Sequence, residues 1–291
     1  MGKILAVIVT YNVESEISKN VIRLKNIVDE LLIVDNGSDI RTKKSLEALE
    51  SLEGVRIKFL TRNMGIAYAI NTAFKYAEEN GFEWVLTLDQ DSKIFDDMIE
   101  NMLKTYEMIS DDVRDKVAIL APKYYEEKFY DKDNLNSSEE GYSTVLTEIT
   151  SGNLVKINLL KEIGYLREDF FIDYVDHEFC LRINREGYKV LKIENALMLH
   201  NLGNKSENII GKYKLTSSNH SPIRRYYMTR NRMWTWKEYK HIYPEWVKAD
   251  KIKFWRELFK IVLFEKHKLS KIRMIILGIC DFRKKKFGKY E

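Results

Sequence analysis

Asp89-Gln90-Asp91-Ser92 closes a short apolar run, Trp84-Val85-Leu86-Thr87-Leu88, with two carboxylates one residue apart. In extended chain, residues i and i+2 point the same way, so both carboxylates can face one space beyond the strand end. Such oxygen donors suit a hard divalent cation such as Mg²⁺, which commonly shares a carboxylate or two with substrate phosphates. The plain alternative is a polar turn before a helix starting near Asp96. A second acidic run, Asp173-x-x-Asp176-x-Glu178, is flanked by Phe170, Phe171, Tyr174 and Phe179 and leads into a helix ending at Gly187. A carboxylate near a helix N-terminus stays ionised, as a general base must. Its structural alternative makes Asp173 an N-cap with Asp176 one turn on. Further along, Arg224, Tyr227 and Arg230 or Asn231 recur at the spacing of one helix face. Guanidinium groups there could neutralise a departing diphosphate or grip an acceptor phosphate.

The elements that must position these groups are legible from the first ninety residues. Strands are expected at Ile4–Val9, Leu31–Val34, Val55–Leu60 and Trp84–Leu88, with helices between them from about Glu14 to Ile27, Thr42 to Leu52 and Ile66 to Asn80. Alternating strand and helix implies a parallel sheet covered on both faces. Every strand ends in polar groups: Thr10 and Asn12, Asp35 and Ser38, Arg62 and Asn63, Asp89 and Asp91. Ligands of open α/β sheets bind beyond such ends. Neither G-x-G-x-x-G nor G-x-x-x-x-G-K-[ST] occurs, so dinucleotide oxidoreductases and P-loop enzymes fit poorly. A metal is the other way to hold a nucleotide diphosphate. Later, Ser151-Gly152-Asn153 interrupts a strand expected over Thr147–Val155, which reads either as close approach of a donor sugar or as a plain bulge.

The 291 residues, 45% hydrophobic and 32% charged, are ordinary globular material with room for one large or two small domains. Cys180 and Cys280 are too few for a disulfide framework or a zinc site, and a cytoplasmic setting is expected. No signal peptide or spanning segment is expected. The net charge of +4 is uneven: residues 251–291 hold 13 Lys/Arg against 4 Asp/Glu, a net +9, which leaves −5 for residues 1–250.

Val9-Thr10-Tyr11-Asn12, Ile33-Val34-Asp35-Asn36-Gly37-Ser38, Asn63-Met64-Gly65 and Leu88-Asp89-Gln90-Asp91-Ser92 resemble, in order and spacing, the successive motifs of the bacterial family-2 glycosyltransferases. The resemblance implies a GT-A fold, a nucleotide-diphosphate-sugar donor and an inverting transfer. By matching position it implies that Thr10, Asn12 and Asp35 border the base and ribose, that Asn63 lies near the nucleotide, and that Asp91 is the main carboxylate on Mg²⁺ or Mn²⁺. Asp35 also has a physical rationale, since a carboxylate accepts from a pyrimidine N–H or ribose hydroxyls; the alternative is a turn residue. The resemblance further implies that Asp176 deprotonates the acceptor hydroxyl and that His200 completes the metal site with Asp89 and Asp91. Arg224-Arg225-Tyr226-Tyr227-Met228-Thr229-Arg230-Asn231 and the Leu-Asp-Gln-Asp-Ser form of the metal motif look most like the rhamnosyltransferase branch, which implies a dTDP-rhamnose donor. The implied acceptor is a glycan or lipid-linked glycan of cell-surface polysaccharide. A UDP-hexose or UDP-galactofuranose donor is the rival. A sugar-nucleotide synthase is disfavoured, because Val9–Ser15 lacks a Gly-rich, basic loop. A basic membrane or RNA adaptor that keeps only the fold is disfavoured by intact Asp89, Asp91 and Asp176.

The expected division is a GT-A domain over residues 1–221 and a helical extension over 222–291. That extension alternates Trp234, Trp236, Trp246, Phe254, Trp255, Phe259 and Phe264 with Lys and Arg. Nothing in it resembles a nucleic-acid-binding signature. Two readings stand: peripheral contact with an anionic membrane, or a helical cap with a solvated basic side. The oligomeric state stays open.

Overall fold

The computed structural model describes residues 2–13, 17–125, 141–199, 206–210 and 213–290, with side chains throughout except in 206–210 and 213–217. It divides into two compact units, residues 1–168 with 176–201, and residues 169–175 with 202–291.

The first unit is built on a mixed sheet. Strands β1 (Ile4–Thr10), β2 (Glu30–Asp35), β3 (Val55–Phe59) and β4 (Trp84–Asp89) run parallel in the order β3-β2-β1-β4. Every residue of β1 is buried, as expected of a central parallel strand with both faces covered. Helices α1 (Ile17–Leu24), α2 (Ile40–Glu47) and α3 (Ile66–Glu79) connect these strands. The sheet then turns mixed. After β5 (Lys93–Ile94), α4 (Met98–Met108) and α5 (Asp111–Arg114) come β6 (Val117–Tyr125), β7 (Tyr142–Val145), β8 (Leu154–Lys156), α6 (Leu160–Ile163), α7 (Val175–Arg185) and β9 (Lys189–Leu199). β8 lies antiparallel between β4 and β6, and β9 pairs parallel with β6 and antiparallel with β5 and β7. Ala6, Ile8, Ile33, Leu86, Leu154 and Met198 belong to one continuous apolar core.

The stretch expected as strand over 147–155 is strand only from Leu154. Its backbone instead bends over Thr87, whose Oγ1 donates to the Thr150 carbonyl at 2.6 Å, while the Gly152 amide donates to the Thr87 carbonyl at 2.6 Å. Gly152 has φ +89°, and a Cβ there would come within 2.6 Å of Pro122 Cγ and 2.7 Å of Met198 Sδ. Those two side chains require the glycine.

The second unit contains the antiparallel pair β10 (Ser206–Ile210) and β11 (Tyr213–Ser217) and three long helices, α8 (Pro222–Tyr239), α9 (Pro244–Phe264) and α10 (Lys268–Arg283). Ser221 caps α8, its Oγ accepting from the Arg224 amide, with Pro222 in the first turn. The interior of this unit is charged as well as apolar. Glu265 bridges Arg225 at 2.7 Å and Lys271 at 2.8 Å, and all three side chains are buried. Arg232, also buried, meets Asp250 at 3.2 Å and Glu257 at 3.0 Å. No helix among the described residues is long and apolar enough to cross a membrane.

Candidate active site

The parallel register brings three of the expected strand ends level: Thr10 lies opposite Asp35, and Val9 opposite Asp89. Thr10 and Asp35 are fully buried, with Thr10 Oγ1 donating to Asp35 Oδ1 at 3.4 Å. The other oxygen of Asp35 accepts from the Ser38 amide at 3.0 Å. Asp35 therefore holds its own turn in shape from beneath. Asn12 lies above it, exposed and in the left-handed region at φ 51°. Its amide donates to Ser38 Oγ at 2.8 Å, and its side-chain oxygen accepts from the Asp39 amide at 2.9 Å.

The loop after β3 is locked to the same edge. Asn36 Oδ1 accepts from the Met64 amide at 2.8 Å, and Asn63 Oδ1 accepts from the Gly65 amide at 3.0 Å, just before α3. Gly37 has φ +78°, and a Cβ there would come within 2.3 Å of the Arg62 carbonyl carbon. Only glycine lets the two loops pass this closely.

Asp89 is half-buried and Asp91 exposed. Ser151 Oγ accepts from the Asp89 amide at 3.0 Å and shares a 2.7 Å hydrogen bond with Ser92 Oγ, so the 151–153 bend fixes the backbone of the acidic turn. Gln90, between the carboxylates, accepts from the Tyr11 amide at 3.1 Å. Ser38 was expected among the polar strand ends, but the sequence reading did not single out Asn36 and Gln90, whose contacts cross between strand ends. The carboxylate pair fits a hard cation by donor chemistry. Among the described residues there is no group of three or more His, Cys, Asp and Glu side chains placed to hold a metal, and His200 lies outside the described residues.

Asp176 sits in the first turn of α7, its side chain 24% exposed, with Oδ1 accepting from the His177 amide at 2.8 Å and lying 3.4 Å from His177 Nδ1. It lines a small cavity with Asn153, Thr150, Glu148, Cys180 and Phe74. Asn153 is buried; its side-chain Nδ2 donates to the Ile149 carbonyl at 2.7 Å, while its Oδ1 has no hydrogen-bond partner among the described residues. A buried acceptor left without a donor costs about 1–3 kcal/mol, which a ligand hydroxyl would recover. Glu148, a carboxylate the sequence reading did not single out, pairs with Lys192 at 3.3 Å. Burial pushes the Cys180 thiol up to about 12, so it stays protonated beside Asp176.

In the second unit, Arg224, Arg230 and Asn231 separate by environment. Arg224 is 45% exposed and meets Asp173 at 2.5 Å. Arg230 and Asn231 are fully buried. Asn231 Nδ2 lies 2.9 Å from the carbonyls of Phe170, Ile172 and Asp173, and Arg230 donates to the carbonyls of Phe170 and Gly288 at 3.1 and 2.7 Å. The segment they hold contains Phe171, Asp173 and Tyr174 at φ 66°, 63° and 65°. Left-handed backbone costs a residue with a Cβ roughly 1–2 kcal/mol, so three such residues need holding.

The family model described as glycosyl transferase family 2 matches residues 5–164. A dTDP-rhamnosyl transferase, RfbF of Shigella flexneri, is 34% identical over 238 residues, covering 79% of this chain and 78% of its own. Among solved structures, TarS of S. aureus matches with TM-score 0.60 at 18% identity over 97% of this chain, which spans 49% of that longer protein. Its 1–349 form in complex with UDP-GlcNAc matches with TM-score 0.61 at 19% identity, covering 96% of this chain and 80% of that one. A mannosyltransferase of Pyrobaculum calidifontis in complex with GDP-Man and Mn²⁺ gives TM-score 0.57 at 15% identity, covering 97% of this chain and 82% of that one. These structures establish the GT-A fold. With four polar strand ends on one sheet edge and a family match over most of the first unit, the chain belongs to glycosyl transferase family 2.

Proposed function

We propose that this glycosyltransferase moves rhamnose from dTDP-β-L-rhamnose to a hydroxyl of a glycan or lipid-linked glycan, on the cytoplasmic side, in cell-surface polysaccharide synthesis. The observation that carries the donor is the 34% identity to a dTDP-rhamnosyl transferase across four-fifths of the chain. Thr10, Asn12 and Asp35 border the base and ribose, Asn12 from its loop and Thr10 and Asp35 from below, and Asn63 lies near the nucleotide. Asp89 and Asp91, with His200, would hold Mg²⁺ or Mn²⁺. Such an ion, when bound, offsets the charge of the diphosphate.

Asp176 takes the proton of the acceptor hydroxyl as that oxygen attacks the anomeric carbon from the face opposite the diphosphate. The bond from that carbon to the diphosphate oxygen breaks, dTDP departs, and the configuration inverts. The unpartnered Asn153 Oδ1 in the Asp176 cavity accepts from a hydroxyl of the donor sugar, and Ser151 and Gly152 are assigned to the same sugar. Arg224 is assigned to a phosphate of donor or acceptor. Arg230 and Asn231 serve by holding residues 169–174, the chain that runs into α7.

A panel of nucleotide sugars, read by thermal stabilisation with metal or with excess EDTA, tests this. The dTDP-linked donor should stabilise the fold only with the divalent ion, and Asp91→Asn should remove the effect. A ligand at a hundred times its Kd adds about 2.7 kcal/mol. Equal stabilisation in EDTA refutes the metal. Turnover of a UDP-hexose with none of dTDP-rhamnose refutes the donor and leaves the family intact.

A further inference from the structure

Helix α9, 21 residues long, carries two apolar faces. One faces inward: Val247, Phe254 and Ile261 are buried, and Trp236 packs edge-on against Phe254 at 5.8 Å. At 100° per residue the other lies well round the helix, where Ile252, Trp255, Phe259, Val262 and Leu263 are exposed by 46, 65, 60, 46 and 45%. A soluble helix needs one apolar stripe and ordinarily has a polar opposite side. Here that side is a second stripe with cations around it. Lys248 continues it toward the N-terminus, Lys251 flanks one edge, and Arg256 and Lys260 flank the other. Glu245, in the first turn, is the acidic residue on this side, because Asp250 and Glu257 turn inward to Arg232.

We propose that this outward face of α9 docks on an anionic phospholipid surface. The apolar stripe would lie in the boundary between headgroups and acyl chains, the depth at which amphipathic helices rest. Trp255 suits the headgroup level, and the flanking cations meet lipid phosphates. A second copy of the chain fits less well, since a two-fold pairing of this face would bring its basic flanks against themselves. Residues 251–291, with a net charge of +9, favour the anionic surface for the same reason. The aromatic residues of the extension thus divide between the two readings of the sequence. Phe254 and Trp236 are core, and Trp255 and Phe259 face outward.

Co-sedimentation of the full chain with phosphatidylcholine vesicles, with and without phosphatidylglycerol, needs no sugar nucleotide and so is independent of the donor. Binding should require the anionic lipid and weaken at least tenfold as salt shortens the Debye length from about 30 to about 8 Å. Each Lys or Arg near an anionic leaflet is worth about fivefold in partitioning. The variants Trp255→Ser with Phe259→Ser, and Lys248→Gln with Arg256→Gln and Lys260→Gln, should each bind at least tenfold more weakly while melting as the parent does. Neutralising Lys284, Lys285 and Lys286, which lie outside α9, should do less. The proposal fails if the parent ignores anionic vesicles at low salt, or if both variants bind undiminished. It also fails if the parent sediments as a dimer that the Trp255 and Phe259 changes convert to monomer, because a second copy then covers the face.

Discussion

At the sheet edge, Asn12 and Asp91 reach solvent and Asn63 half-reaches it; in the helical unit Arg225, Arg230, Arg232, Glu265 and Lys271 are buried and paired with carboxylates, cations or carbonyls of the same unit. The two sets use the same chemistry in opposite circumstances. At the edge, each turn is held by local bonds, Asp35 to Ser38, Asp39 to Thr42 and Asn63 to Gly65, two or three residues apart. The turns are joined to one another by bonds such as Asn12 to Ser38 and Asn36 to Met64, 26 and 28 residues apart. In the helical unit, Arg225 and Glu265 are 40 residues apart and Asn231 and Phe170 are 61 apart. What differs is burial: Asn12, Asn63 and Asp91 stay outward for a ligand, whereas the charged side chains of the helical unit are consumed in the fold. Substitutions at the edge should therefore change function and leave stability, and those in the helical unit should do the reverse.

The sharpest separation should come from Asp176→Asn. General-base catalysis is typically worth 10²–10⁴-fold, so turnover should fall by about that range, while the donor-induced rise in Tm persists. Turnover above about a tenth of the parent value would shift the base to another carboxylate, Asp173 being next. Glu265→Ala is the converse case. It strands two buried cations, and breaking such a pair costs about 3–5 kcal/mol. Denaturant melts should register that loss, while the protein still folded at low temperature should keep the parent kcat.

Asn231→Ala should cost less, about 1–3 kcal/mol, because carbonyls rather than charges lose their donor. It also tests how cleanly the regions separate, since a fall in kcat beyond the loss of folded protein would show that residues 169–174 must be held for catalysis. The smallest effect is chemical. Cys180, with its thiol pushed up to about 12, should react with a disulfide reagent at pH 8 far more slowly than half-buried Cys280, until denaturant opens the fold. Equal rates would mean that the cavity beside Asp176 is open.

The same contrast governs what could be read beforehand. The alternation from Ile4 to Asp89 and the polar strand ends follow from periodicity and turn chemistry, which act over a few residues. The structure reproduces those strands, and the register levels their ends. The bend at Ser151–Asn153 was visible as an interruption, but Pro122 and Met198, which require Gly152, are distant in sequence. Arg230 or Asn231 recurs on the helical face of Arg224, and helical spacing carries no sign of which residue is buried. The tail posed the same difficulty, because alternating aromatics and lysines describe a cap and a docking face equally well. Only packing shows that Phe254 is buried and Trp255 exposed.

The chain enters the helical unit twice, first at residues 169–175 and again after 201. Asp169 accepts from the Gly288 amide at 2.7 Å, and Arg230 reaches the carbonyls of both Asp169 and Gly288. During synthesis, therefore, the segment at 169–175 leaves the ribosome long before its partners exist. At about 5–20 residues per second, the roughly 120 residues to Gly288 take on the order of 6–24 s. The sheet strands emerge first and can pair in that interval, while the carbonyls of Phe170, Ile172 and Asp173 stay in water. Completion of the helical unit is thus tied to residues made roughly 120 positions later, and nascent chains stalled before Arg230 should be cut by protease at residues 169–175 while the sheet resists.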